Sequence, residues 1–78
     1  LSVTPEFSRL SCRGKLQFQA DVVGSEDKSV TWAVREENGG AIDRNGLYQA
    51  PELPGTYEIT ATAGADEKVT ASAFVIVE

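Results

Sequence analysis

The chain has 78 residues, with 7 Lys and Arg against 12 Asp and Glu, no His, no Met and a single Cys. That length holds one domain around one core, near the size at which a core becomes marginal, and neither a disulfide pair nor a metal cluster is there to reinforce it. Without His the commonest general base and metal ligand is missing, a net charge of −5 opposes nucleic-acid phosphates, and no apolar run approaches the ~18 residues of a membrane-spanning helix.

A short opening strand, Leu1 to Thr4, is expected to end at Pro5, which has no N–H to give a central ladder. Cys12 follows in a connecting segment. It has no partner inside the chain and reads as a small linking residue, with an intermolecular disulfide or a reactive thiol as the alternative. Leu16, Phe18, Ala20 and Val22 then alternate with Gln17, Gln19 and Asp21, the period of two that marks a strand with one buried face. Gly24-Ser25-Glu26-Asp27-Lys28 supplies a turn, after which Val30, Trp32 and Val34 alternate with Thr31 and Ala33. Glu36-Glu37-Asn38-Gly39-Gly40 is the next turn.

Two short apolar pieces, Ala41-Ile42 and Leu47-Tyr48, flank Asp43-Arg44-Asn45-Gly46. Asn-Gly accepts positive φ readily, so this segment reads as a tight hairpin or a turn with a bulge. Pro51 to Gly55 turns the chain into a strand in which Tyr57, Ile59 and Ala61 alternate with Thr56, Glu58, Thr60 and Thr62. After a turn at Gly64-Ala65-Asp66-Glu67, the stripe Val69, Ala71, Ala73, Val75 and Val77 opposes Thr70, Ser72, Phe74 and Ile76. No window carries a helical face. Six or seven short strands rich in Val, Thr and aromatics predict an all-β antiparallel sandwich or small barrel.

Few residues offer chemistry. Glu36-Glu37 and Asp66-Glu67 are paired carboxylates, but they fall in turns where charges are solvated, whereas acid–base work needs a concave, partly dry site. Catalysis is not expected. Asp43 and Asn45 place two oxygen side chains at alternate positions, a fragment of a calcium loop that lacks the further oxygens a full shell requires. Asp66 and Glu67 form a second, weaker calcium candidate. Phe74 and Ile76 lie opposite the core stripe and predict either a shift of the last strand or a small sticky patch, which Val23 extends only if its strand is a neighbour. Trp32, Tyr48 and Tyr57 would make a sugar-stacking platform if exposed together. Trp32 and Tyr57 read as core, which leaves Tyr48 alone and too little for that role.

Two features resemble immunoglobulin-type folds. Trp32 sits mid-strand where such folds place the core tryptophan between sheets, and Leu53-Pro54-Gly55-Thr56-Tyr57-Glu58-Ile59 resembles the corner before their sixth strand. Ile59 and Phe18 then stand where antibody domains have the two cysteines, so an apolar pair replaces the disulfide. The match extends to whole segments: Val30-Thr31-Trp32-Ala33-Val34, Gly39-Gly40-Ala41-Ile42-Asp43, Gly46-Leu47-Tyr48-Gln49-Ala50-Pro51 and Pro54 to Thr62. Together they resemble the bacterial Ig-like domain family, the tandem modules of bacterial surface and secreted proteins. Cys12, Leu16, Phe74 and Ile76 depart from the family's usual small or polar residues.

The resemblance implies an immunoglobulin-like antiparallel β-sandwich of about seven short strands spanning residues 1–78, with Phe18, Trp32, Tyr57 and Ile59 in its core. It implies a non-catalytic structural or spacer module, excised from a longer multidomain protein at the surface of a bacterium or outside it. The partners expected are adjacent domains of the same chain and a surface protein or polysaccharide, with a role in adhesion, no cofactor, no nucleic acid, and a monomeric state for the isolated domain. The alternative is a ligand-binding module for carbohydrate, calcium or a host protein, using loops at one end of the sandwich.

Overall fold

Successive side chains leave an extended backbone on opposite sides, so an alternating sequence buries one stripe and wets the other. The computed structural model describes residues 1–24, 29–64 and 66–78, and within them this patterning yields nine strands and no helix. They are β1 (Ser2–Thr4), β2 (Phe7–Leu10), β3 (Lys15–Gln17), β4 (Gln19–Asp21), β5 (Val30–Val34), β6 (Ala41–Ile42), β7 (Leu47–Gln49), β8 (Gly55–Ala63) and β9 (Thr70–Val77). The turns expected at 24–28 and 64–67 fall partly outside the described residues.

Hydrogen bonds sort the strands into a four-stranded sheet of order β2-β9-β8-β5, a three-stranded sheet of order β3-β7-β6, and the pair β1-β4. Every pairing is antiparallel except β2 with β9, where Phe7 lies opposite Phe74 and Leu10 opposite Val77. The strands outnumber the expected seven for two reasons. The stretch from Leu16 to Val22 divides at Phe18, where the chain changes partner: Gln17 faces Leu47 of β7, and Gln19 faces Thr4 of β1. Phe18 keeps its own N–H bonded to Gly46 O at 2.8 Å. The second reason is β2, which has no stripe in the sequence and follows a cis peptide bond between Thr4 and Pro5.

The core grows from the two longest strands. Their inward pairs are Tyr57–Val75, Ile59–Ala73 and Ala61–Ala71, and Ile59, Ala61, Ala73 and Val75 are fully buried. Val3, Phe18, Tyr48 and Ala50 meet these residues in one cluster. Phe18 touches Tyr48 edge-on, with ring centroids 6.1 Å apart, and lies 6.2 Å from Trp32 at a tilt. Such ring pairs add about 0.5–1.5 kcal/mol to the area they bury. Trp32 stands in register with Ala61, and Ala61 with Ala71, so the indole and Phe18 supply bulk where the sheet has only methyl groups.

Both tyrosines carry a hydroxyl into the interior, and each has a backbone acceptor. Tyr48 donates to Gly39 O at 2.5 Å and Tyr57 to Leu53 O at 2.8 Å, which removes the desolvation cost of an unpaired O–H. Burial, reinforced by the charges of Tyr57 and Glu36, pushes the Tyr48 pKa up to about 12. Tyr48 therefore does not remain outside the core as its sequence context suggests. It occupies β7, the middle strand of its sheet, between Leu16 and Ile42.

Trp32 departs in the opposite sense. The indole is only half-buried, as are Val30 and Val34 on the same face. β5 is the outermost strand of its sheet, so its inward side chains have the core on one side only. The registers also fix the direction of the chain. β9 begins beside the end of β8 and finishes beside Leu10 and Gly55, while Ser2 lies opposite Asp21, whose neighbour Ala20 shares a hollow with Val30, the register partner of Ala63 at the end of β8. The first strand thus starts at one pole of a body measuring 38 × 20 × 16 Å, and the last strand ends at the other.

Candidate functional site

The Asp43–Gly46 segment is a well hydrogen-bonded turn, and it is built locally. Gly46 N–H bonds to Asp43 O at 3.0 Å, and Asp43 N–H bonds to Leu47 O at 3.1 Å. Asp43 Oδ1 accepts from the N–H groups of Asn45 and Leu47 at 2.8 and 3.0 Å. Gly46 takes φ +84°, the left-handed residue that closes a type I turn with a bulge. From the neighbouring strand, Gln17 Nε2 donates to Asn45 O at 2.7 Å and fixes the turn against β3.

This turn packs against Trp32. A Cβ at Gly46 would come within 2.7 Å of Phe18 O and 3.0 Å of the indole Cε2, so only glycine allows that approach. Beside the indole is an open hollow of about 360 Å³ lined by Gln19, Ala20, Val30, Trp32, Arg44 and Asn45. Arg44 is the one charged residue among the described residues that line it. The side chains of Gln19, Arg44 and Asn45 form no hydrogen bond or ion pair among the described residues. A half-covered aromatic surface, two amides and a free guanidinium therefore share one concavity, held by a turn that is rigid by construction.

A second hollow of about 230 Å³, lined by Lys15, Ala41, Ile42, Asp43, Leu47 and Gln49, has no aromatic surface. Its position bears on the calcium candidates. Asp43 borders this hollow, while Asn45 borders the one at Trp32. Asp43 Oδ1 is also already engaged by two N–H groups. Asp66 Oδ1 accepts from the N–H of Lys68 at 3.0 Å, and Glu67 is exposed beside it. Among the described residues, no three Asp, Glu or Cys side chains converge on a point that could hold a metal.

Phe74 keeps 43% of its surface and Phe7, its register partner on β2, keeps 60%. Ile76 is half-buried between Arg9 and Thr56. The outward apolar pair is therefore Phe7–Phe74 more than Phe74–Ile76. Phe7 carries no sequence signal for this role, because its partner is fixed only by the long-range parallel pairing. Val23 does not extend the patch by pairing, since it follows β4, which pairs with β1. Polar groups border it: Glu58, opposite Phe74, accepts from Ser72 Oγ at 2.9 Å and Arg35 Nη1 at 3.1 Å. These bonds, the serine's first, lower the Glu58 pKa from the usual carboxylate value.

Cys12 is half-buried near the pole where the last strand ends, its thiol donating to Glu78 O at 3.3 Å. The structure defines an all-β protein with an aromatic, amide-lined hollow at a sheet edge. No family model and no curated protein matches the chain.

Proposed function

We propose that the chain is an immunoglobulin-like β-sandwich module of the bacterial Ig-like type, non-catalytic, which holds neighbouring domains apart in a bacterial cell-surface or secreted protein. Support for the topology comes from the strand order, with β3 and β4 counted as one interrupted strand that links the two smaller sheets across from β2-β9-β8-β5. Tyr57 supports it as well. Its hydroxyl reaches back four residues to Leu53 O, and its ring precedes the buried Ile59 by two positions, the arrangement of the tyrosine corner in such sandwiches. Phe18 and Ile59, the apolar stand-ins for a disulfide, are both fully buried in one cluster.

The single observation that carries the spacer reading is that the first strand starts, and the last strand finishes, toward opposite ends of a body 38 Å long. Domains joined at both poles are held apart by that length, and the excess of acidic side chains keeps adjacent modules from adhering. Among the described turn carboxylates, Glu37, Asp43, Asp66 and Glu67 are exposed to water, whereas acid–base work needs a partly dry site. Small-angle X-ray scattering of two copies expressed in tandem tests the reading. An end-to-end pair reaches about 76 Å, twice the 38 Å length. A folded-back pair with a maximum dimension near that of one copy overturns it. The binding-module alternative is favoured by one specific observation, the hollow at Trp32.

A further inference from the structure

The geometry points to a saccharide-binding site at the edge hollow, taking a pyranose ring that bears a carboxylate, such as a hexuronate. This goes beyond the spacer role and does not depend on it. Three features argue for the ligand class. First, the indole of Trp32, half-buried against Phe18 and Gly46, adds apolar, electron-rich ring surface to a lining that is otherwise mostly polar, a mixture suited to the C–H groups and hydroxyls of a sugar ring. Second, Gln19 and Asn45 each carry an amide with both donors and an acceptor, matching the hydroxyls that project from a ring edge. Third, among the described residues Arg44 has a planar fork of donors with no carboxylate partner, and none of those lining the hollow is acidic. A guanidinium engages a carboxylate through two parallel hydrogen bonds, which selects for a uronate over a neutral sugar.

Other ligand classes fit less well. Nucleic acid needs a basic tract, whereas the described residues of this site include one cation, in a chain of net charge −5. A metal is commonly held by several converging carboxylates or thiolates, and no three such side chains gather among the described residues. The site is preorganised for its size, because Arg44 and Asn45 sit on a turn pinned by Asp43 and Gln17. One shallow ring-sized concavity supports weak, millimolar binding.

The test is titration of the ¹⁵N-labelled chain with trigalacturonate, with cellotriose as the neutral comparator, followed by amide and indole N–H shifts. The expected result is saturable movement of the Trp32 indole and of the Gln19, Arg44 and Asn45 signals, with cellotriose weaker by about tenfold. Arg44→Gln, a surface change, is expected to bring trigalacturonate down to the cellotriose level while the rest of the spectrum stays folded. Trp32→Phe keeps a ring in the core and provides a second variant in which binding weakens for both sugars. Absence of saturable shifts with either sugar overturns the proposal. So does equal binding of the two sugars, or shifts confined to Lys15, Leu47 and Gln49 at the other hollow. None of these outcomes changes the scattering expected of a tandem spacer.

Discussion

Replacing Tyr48 by Phe removes one oxygen from the most enclosed part of the core and leaves the ring in place. Tyr48 is fully buried, and among the described hydrogen bonds its hydroxyl is the donor that reaches Gly39 O. The substitution strands that carbonyl without a partner, which costs about 1.5 kcal/mol at neutral pH. For a chain this small the urea dependence is about 1 kcal/mol per molar, so the unfolding midpoint falls by about 1.5 M. The pH dependence gives a sharper check. The pKa of Tyr48 is raised from 10.0 to about 12 in the folded chain, chiefly by burial. Below pH 10 the proton is bound in both states, and the stabilisation is complete. Between pH 10 and 12 the unfolded chain releases it first, so stability falls by about 1.4 kcal/mol per pH unit and is lost as the pH passes the folded value. At pH 11 the wild type has lost about 1.4 kcal/mol that Tyr48→Phe never had. Urea titrations of both proteins at pH 7, 9 and 11 should therefore show a gap that closes near pH 11. A gap that stays constant across this range refutes the reasoning, because it means the hydroxyl is solvated.

Three further substitutions probe other parts of the fold. Tyr57→Phe removes the bond to Leu53 O and is expected to cost about 1 kcal/mol, a fall of about 4–8 °C in Tm by calorimetry. Gly46→Ala forces a Cβ against Phe18 O and the indole at φ +84°. A loss of more than about 2 kcal/mol in chemical denaturation, accompanied by a shift of Trp32 fluorescence, is the expected outcome. Ser72→Ala removes the first cause of the lowered Glu58 pKa. A depressed carboxylate pKa stabilises above its ordinary value of 4.5 and loses that contribution as pH falls through the folded value. The variant's Glu58 carboxyl signal should consequently titrate closer to 4.5 in a ¹³C NMR pH series.

The alternating stripes were readable because period two reports directly that one face is buried. Ile59, Ala61, Ala73 and Val75 follow from that rule alone, and all four are fully buried. Alternation does not say which strands lie at a sheet's edge, so it cannot distinguish a fully enclosed Trp32 from a half-covered one. Nor does it orient a three-residue strand. In Leu47-Tyr48-Gln49 either apolar residue could face inward, and only pairing with both β3 and β6 places Tyr48 over the core and leaves Leu47 outside. β2 was illegible for the same reason. Phe7 and Leu10 sit on opposite faces, and their environments come from β9, far along the chain. The turn at 43–46 was legible in type, because Asn-Gly carries its own backbone preference. Its meeting with Trp32 was not, because that contact depends on the sheets coming together.

The hollow at Trp32 separates what a spacer needs from what a binding site needs. A spacer requires bulk beside Ala61 and Phe18, and a leucine would supply most of it. The exposed part of the indole and the unpaired Arg44 contribute little to holding the domain straight. Arg44 is exposed and forms no ion pair among the described residues. Its replacement by Gln should therefore change stability by no more than about 0.5 kcal/mol, as for other isolated surface positions. Thermal unfolding of Arg44→Gln alongside the wild type measures this. A loss well above that bound assigns the guanidinium a structural duty in fixing the turn, and the charge at the hollow then needs no ligand to account for it. Unchanged stability leaves a cation carried on a hydrogen-bonded turn beside a half-exposed aromatic residue with no role in folding, the condition expected of a residue kept for recognition.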